Sequence, residues 1–379
     1  MKILHIIYTA GISGAEKYLK HLLPGLGSYG MECELMIVCP PAAEVTLKDF
    51  CDEFSALGVK TNMLVAKHEI SFGTLKKINR FLRQNNFSVV HSHLIRTDIM
   101  MSLVKQFFYR DLFIISTKHG YREKVQKNYL PEQFKVTRDF YYWVHRYVLG
   151  KIDRNISVSG GISKLFVNLK LSKEYFPVIY HGVNVPGTGD GDLAVYKSST
   201  PQLLIVGRLE EYKGHRYAFE AMQLILEKYP AATLVLLGDG SYKNTLIKLA
   251  VELGIAKSVL FPGFQKDPYS FISASDIIIV PSLFEPFGLV FIEAMGLKKP
   301  IAAFDVPAGN ELLHGETAVL VKRADSRALA EKILFLLENP EITHRLTEKA
   351  YAEYLEKYTV AVMAKNTAGY YASLNIRQN

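Results

Sequence analysis

The chain has 379 residues, of which 49% are hydrophobic, 12% aromatic and 22% charged. That length is about twice a single core, which predicts two domains, and the apolar content excludes a disordered chain. Gly (26) and Pro (15) are near average, which excludes a collagen-like chain, and three cysteines (33, 39 and 51) are too few for a disulfide framework or a four-ligand zinc site.

Those cysteines read as cytosolic core thiols. The opening MKILHIIYTAGISG holds only about six apolar residues before a glycine turn, too short for a signal-peptide core or a spanning helix. No later segment reaches the ~18 uncharged apolar residues that a membrane helix needs. The expectation is a cytoplasmic protein, at most peripheral at the inner membrane face. The formal charge of +8 is uneven: residues 1–185 carry 25 Lys/Arg against 15 Asp/Glu, and residues 186–379 carry 20 against 22. Residues 105–154 alone hold 11 basic and 5 acidic side chains. A basic half suggests an anionic partner, such as a phosphorylated substrate or an acidic membrane surface, against the plain alternative of a solvated basic face. The charge is too diffuse for a nucleic-acid reader, and no motif of that kind is present.

In chain order, 2–8, 32–39, 60–66, 88–93, 112–118 and 154–159 read as strands, with helical patterns at 15–27, 73–85, 96–107, 132–150 and 161–169. Continuous apolar runs of this length fit strands covered on both faces, and the alternation predicts a parallel sheet between helices. Residues 182–201, rich in Gly, Pro, Ser and Asp, read as a linker. The alternation restarts at 201–209, 232–240, 258–263, 276–282, 300–306 and 318–321, and 326–379 reads as helical with a break near Tyr358–Thr359. Two doubly wound α/β domains result, with ligands expected at the open strand ends around a cleft.

Four segments carry chemistry. PSLFEPFGLVFIEAMG (281–296) places Glu285 in a loop after a strand and Glu293 on the following helix, with Pro286 and Gly288 at the turn. The amides of Phe287, Gly288, Leu289 and Val290 at that helix start suit phosphate or sugar oxygens, and a neighbouring carboxylate suits vicinal hydroxyls. The bland reading is two surface acids at a helix start. VGRLEEYKGH (206–215) sets Arg208 and Lys213 between strand and helix, a pair suited to a diphosphate and to a departing nucleoside diphosphate, or else a solvated basic loop. GISGAE (11–16) follows strand 1, but the G-x-G-x-x-G spacing is absent and strand 2 ends at Cys39-Pro40 without an acid for a ribose, which weakens a nicotinamide dinucleotide reading. Among the histidines, His91 and His93 face one side of one strand, and His119 in KHG sits at a strand end, where it suits a sugar hydroxyl. No third ligand at convincing spacing supports a metal site there. The triplet Asp190-Gly191-Asp192 lies in the linker and reads as solvated loop rather than a metal holder.

Together these segments, with VIYHGVNV (178–185) and LLGDG (236–240), resemble the retaining glycosyltransferases of the GT-B fold, specifically the group 1 family, family four, over nearly the whole chain. The resemblance implies two Rossmann-like domains facing a cleft: 1–182 for the acceptor, completed by a C-terminal helix at 359–379, and 183–358 for a nucleotide sugar. It assigns the donor ribose to Glu293, donor-sugar hydroxyls to Glu285, the diphosphate to Arg208 and Lys213, and sugar and phosphate oxygens to the amides of 287–290. It sets Gly238, Gly240 and Phe264 near the base, His119 near the anomeric end of the donor sugar and Gly14 on a loop closing on the diphosphate. It implies no metal, no cofactor and no covalent nucleophile, and transfer of a hexose-type sugar to a hydroxyl acceptor, often lipid-linked, in polysaccharide or glycolipid synthesis. Residues 105–154, with Phe107, Phe108, Tyr109, Phe140, Tyr141, Tyr142 and Trp143, then suit an anionic membrane, or else a helix packing its aromatics inward. Where family members often read N-G-V-D, this chain has His181-Gly182-Val183-Asn184. An epimerase or hydrolase of the same fold and a binding-only homologue are the competing readings.

Overall fold

The computed structural model describes residues 1–68, 70–121, 138–186, 200–307, 309–374 and 376. The triplet Asp190–Asp192 and the helical pattern at 132–137 lie outside the described residues. The chain divides into two compact units, one of residues 1–182 and 360–379 and the other of residues 183–359, apart from a short stretch outside the described residues.

The first unit runs β1 (Lys2–Tyr8), α1 (Gly14–Leu26), β2 (Glu32–Cys39), α2 (Glu44–Ala56), β3 (Lys60–Val65), α3 (Phe72–Gln84), β4 (Val89–His93), α4 (Ile95–Phe107), β5 (Phe113–Lys118), α5 (Phe140–Leu149), β6 (Arg154–Ser157) and α6 (Gly160–Asn168). All strand pairs are parallel, in the order β3-β2-β1-β4-β5-β6. Strand alternation sorts the core. Ile3 and Ile7 of β1 pack with Tyr18, Leu19 and Leu22 of α1, while Leu4 and Ile6 pack with Ile78 and Leu82 of α3 and Met100, Met101 and Val104 of α4. Helix α2 is absent from the sequence reading. A parallel β2–β3 pair requires a crossover, and Leu47, Phe50, Cys51 and Phe54 supply the buried helical stripe it uses.

The second unit runs β7 (Gln202–Val206), α7 (His215–Lys228), β8 (Thr233–Leu237), α8 (Lys243–Glu252), β9 (Val259–Gly263), α9 (Tyr269–Ala274), β10 (Ile277–Val280), α10 (Leu289–Gly296), β11 (Ile301–Phe304), α11 (Gly309–Leu312), β12 (Val319–Val321), α12 (Ser326–Glu338) and α13 (Pro340–Lys357). Its parallel sheet has the order β12-β11-β10-β7-β8-β9, so the connections leave β7 in opposite directions on either side of the β7/β10 junction. The first sheet has the matching junction at β1/β4. Ligands in such folds bind outside the carboxyl ends of the strands at these junctions.

The C-terminal helical stretch breaks twice. One break is at Thr359, near the expected place; the other is at Asn339, where Pro340 opens α13 at a position that costs no helical hydrogen bond. The last helix, α14 (Val360–Ser373), belongs to the first unit and crosses α1 so closely that a Cβ on Gly25 would stand 2.8 Å from the Cβ of Ala364. It sends Met363, Ala368 and Tyr371 into the first unit's core.

A buried ion pair joins β5 to α4. Lys118 Nζ donates to Asp98 Oδ2 at 2.6 Å and to Ser116 Oγ at 2.8 Å, and Asp98 Oδ1 also accepts from the hydroxyls of Ser92 and Ser116. Both ends are buried, so removing the carboxylate strands a cation in the core, at a cost of about 3–5 kcal/mol. Asp98→Ala is expected to lower the urea midpoint by the equivalent of that loss; a midpoint unchanged from wild type would show that the pair is not holding Lys118.

Candidate active site

The second unit's site is assembled at the β7/β10 junction. After β7 the chain passes through Gly207, Arg208 and a short 3-10 turn, Glu211–Lys213, and enters α7 through Gly214 at φ 70°. A side chain at Gly214 would place its Cβ 1.9 Å from the carbonyl oxygen of Pro281, so only glycine lets this loop lie against the end of β10. Leu283 N–H donates to Tyr212 O at 2.8 Å and locks the two loops together.

That contact sets the charges. Lys213 Nζ reaches Glu285 Oε2 at 2.6 Å, and the buried Ser282 hydroxyl donates to the same oxygen at 3.2 Å. Arg208 Nη2 donates to Tyr212 Oη at 2.6 Å. Gly288, at φ 90°, precedes α10 and supplies no capping side chain, so the first-turn amides are not claimed by a cap. Glu293 lies buried on α10, and its charge adds to burial in pushing the Tyr269 phenol above its ordinary range.

The glycines of LLGDG act by close approach. A Cβ on Gly238 would stand 2.0 Å from Gly207 O, and Leu209 N–H donates to Asp239 O at 2.9 Å. Gly240 is equally pressed against Leu209 O. The loop after β8 therefore lies on the loop that carries Arg208. Next to it, Gly238 N–H donates to Gly263 O at 3.0 Å, and Phe264 follows with 72% of its surface exposed. Thus Arg208, Lys213, Glu285 and Gly288, with Gly238 and Gly240, meet at adjacent strand ends of one sheet. Phe287 is buried, while Leu289 and Val290 open α10. Tyr212, Ser282 and Arg323, whose Nη1 donates to Leu283 O at 3.1 Å, are partners that the sequence reading missed. Tyr212 and Ser282 stand inside the quoted phrases, whereas Arg323 is brought in only by the fold.

The first unit departs from expectation. Gly14 is the first residue of α1, not a loop residue; Ser13 caps the helix and its N–H donates to Glu16 Oε2 at 2.8 Å, a capping box. His91 and His93 do share one side of β4, but both are fully buried and open to no ligand. The missing third histidine comes from β1: His5 pairs in register with His91, and ring atoms of His5, His91 and His93 lie within 4.8 Å of one another. His119 follows β5, half-buried, with its ring turned toward His93 at 3.2 Å and against the rings of Tyr18 and His181. Burial pushes His5 and His119 down to about 3 and His91, His93 and His181 well below the ordinary imidazole range, aided at His119 and His91 by the Lys118 cation.

Residues 12–185 match the family model for glycosyltransferase family 4, and residues 195–353 match that for glycosyl transferases group 1. The chain belongs to the group 1 glycosyltransferases. This group 1 chain is 30% identical over 179 residues to alpha-D-kanosaminyltransferase of Streptomyces kanamyceticus, a stretch covering 46% of each. It is 25% identical over 193 residues, 50% of this chain and 52% of the other, to the N-acetylgalactosamine-N,N'-diacetylbacillosaminyl-diphospho-undecaprenol 4-alpha-N-acetylgalactosaminyltransferase of Campylobacter jejuni. The chain spans about half the length of these curated relatives. Among solved structures, Anabaena Alr3699/HepE, crystallised in complex with UDP and glucose, matches 99% of this chain and 100% of its own at a TM-score of 0.80 and 20% identity. The fold is GT-B.

Neutral burial of histidines predicts that the fold loses stability in acid. Unfolded, a histidine takes a proton near 6.5; folded, His5, His119 and His145 resist until about 3 and His215 until about 4. Between those values the unfolded chain binds more protons, so the stabilisation is complete above 6.5 and is lost as pH falls toward 3, by about 1.4 kcal/mol per pH unit for each fully shifted histidine. Urea midpoints should decline steadily below 6.5 and be flat just above it; a flat profile through the acid range would show that these rings are already charged in the fold.

Proposed function

We propose that this chain is a retaining hexosyltransferase that moves a sugar from a nucleotide-diphosphate donor to a hydroxyl acceptor. The observation that carries the reading is the Lys213–Glu285 pair at 2.6 Å, at the strand junction where this fold class takes its ligands. A carboxylate gripping sugar hydroxyls and a cation gripping a diphosphate must be neighbours, because the bond that breaks joins sugar to phosphate.

The roles follow from charge development. Cleavage builds positive charge at the anomeric carbon and negative charge on the leaving diphosphate. Arg208, Lys213 and the uncapped start of α10 answer the second charge, so side chains and backbone are assigned the work rather than a metal ion or cofactor. Glu285 Oε2 is shared between Lys213 and Ser282, which suits a carboxylate accepting hydrogen bonds from sugar hydroxyls better than a covalent nucleophile. Attack from the face of the departing diphosphate, with that group as base, retains configuration. Glu293 is assigned to the donor ribose, exposed Phe264 and the glycines at 238 and 240 to the base, and His119 to a sugar hydroxyl. Glu285→Ala and Lys213→Ala should each lower kcat by roughly tenfold or more, since a single charge-stabilising group is worth that much. Wild-type rates in both variants would remove the site.

The acceptor is assigned to the first unit and is proposed to be lipid-linked, in line with the diphospho-undecaprenol acceptor of the Campylobacter relative. A surface supports this. Tyr142 is buried, but Phe140 (84% exposed) and Trp143 (54%) line the outer face of α5 with the half-exposed Tyr147, at helical spacings of three and seven. Tyr147 Oη donates to Gln106 Oε1 at 2.5 Å, beside Phe107 (62% exposed) at the end of α4. Exposed aromatics within a basic stretch of the chain suit an anionic bilayer interface. No helix among the described residues is long and apolar enough to cross a membrane, so the association would be peripheral. In flotation assays the protein should rise with phosphatidylglycerol vesicles, and the double variant Phe140→Ser, Trp143→Ser should not. Failure of the wild type to rise would end the membrane claim and leave the transferase claim standing.

A further inference from the structure

The buried polar groups at the β1/β4 junction form one continuous chain. His91 Nε2 meets Thr117 Oγ1 at 2.7 Å, and His91 Nδ1 meets the Tyr371 hydroxyl at 2.5 Å. The same hydroxyl meets His5 Nε2 at 3.3 Å; His5 Nδ1 meets His93 Nε2 at 3.1 Å; and His93 Nδ1 meets His119 Nε2 at 3.2 Å. Four imidazoles and one phenol from β1, β4, the end of β5 and α14 are thereby linked end to end. The chain stops at His119 Nδ1, which is buried and has no partner among the described residues.

A neutral imidazole has one N–H and one bare nitrogen, so each ring can only donate one way and accept from the other. The chain has two arrangements, and choosing one bond chooses all. The distances at Tyr371 choose. O–H donors make shorter hydrogen bonds than N–H donors, so the 2.5 Å contact is the phenol donating to His91 Nδ1, and the 3.3 Å contact is His5 Nε2–H donating to the phenol oxygen. His91 Nε2–H then donates to Thr117, His93 Nε2–H to His5 Nδ1, and His119 Nε2–H to His93 Nδ1.

We propose that Tyr371, His5 and His93 are positioning residues that hold His119 as the Nε2–H tautomer, leaving its buried Nδ1 as a bare acceptor without a partner among the described residues. The ligand role of His119 rests on the function proposed above; the tautomer does not. The chain also explains the close crossing of α14 on α1, since α14 must bring one oxygen to the middle of the first sheet. A metal ion held by His5, His91 and His93 is the competing use of the same rings. Their nitrogens are all engaged in the hydrogen bonds above, and His91 and His93 stack at 4.5 Å and 21° rather than converging on a point.

The test is nitrogen-15 NMR on histidine-labelled protein, reading which ring nitrogen carries the proton. Wild type should show Nε2–H at His5, His91, His93 and His119. Tyr371→Phe removes only the oxygen, so His5 Nε2–H loses its acceptor deep in the core. The protons of His5, His93 and His119 should move to Nδ1, placing the unsatisfied donor at the half-buried His119. Turnover of that variant should fall and the thermal shift given by UDP- and GDP-sugars should shrink, while the shift given by UDP and GDP, which lack the sugar assigned to His119, is unchanged. Nδ1–H at His119 in wild type, an unshifted His119 in folded Tyr371→Phe, or stoichiometric zinc uptake by the three buried rings would each overturn the proposal. Four Nε2–H rings in a protein without transferase activity would instead uphold the chain and fail the functional reading.

Discussion

The closest constraint in the second unit is the approach of Gly214 to the carbonyl of Pro281. There is no room for a Cβ at that point, and the left-handed backbone there suits glycine for a second reason. Because the loop after β7 can lie on the loop after β10, Lys213 and Glu285 meet across a gap of 72 residues in sequence. The pair is mostly shielded, and each partner offsets the desolvation of the other. The loops after β7 and β8 approach in the same way at Gly238 and Gly240. The strand ends can carry charged side chains because their loops are pinned backbone to backbone.

The first unit uses the equivalent strand junction differently. Where the second unit brings a cation and a carboxylate together, the first buries uncharged imidazoles in the sheet and holds a buried cation, Lys118, against Asp98. Five histidines near a fixed positive charge remain tolerable only while neutral, and their burial keeps them so. Polar groups at this depth are costly unless paired, which is why the chain of hydrogen bonds runs from Thr117 through Tyr371 to His119 with so few gaps. Helix α14 is therefore more than a cover for α1: it supplies the oxygen on which the chain turns.

The basic character of the first half also acquires a shape. On α5, Tyr142, His145 and Val148 face the core, while Phe140, Trp143 and Tyr147 face outward. An aromatic-rich helix can fill a core or coat an interface, and composition does not separate the two. Which face is covered depends on the sheet and on α4 beside it.

Every strand core was legible, because parallel strands covered on both sides leave unbroken apolar runs that need no partner to be recognised. The phrases around Arg208, Lys213, Glu285 and Glu293 were legible because turn glycines and charged residues at strand ends are local features. Helix α2 went unread although its apolar stripe was present, and the break at Pro340 was passed over within a long helical pattern. Several features could not be read locally. Spacing along β4 offers His91 and His93 no third histidine, since His5 joins them through strand pairing, and Tyr371 arrives from the far end of the chain. Gly14 read as a loop glycine although Ser13 and Glu16 stand at capping-box spacing, a local signal that was passed over. Local sequence sets which segments become strands, helices and turns; which side chains meet is decided by strand order and helix crossing, where residues hundreds apart come within a hydrogen bond.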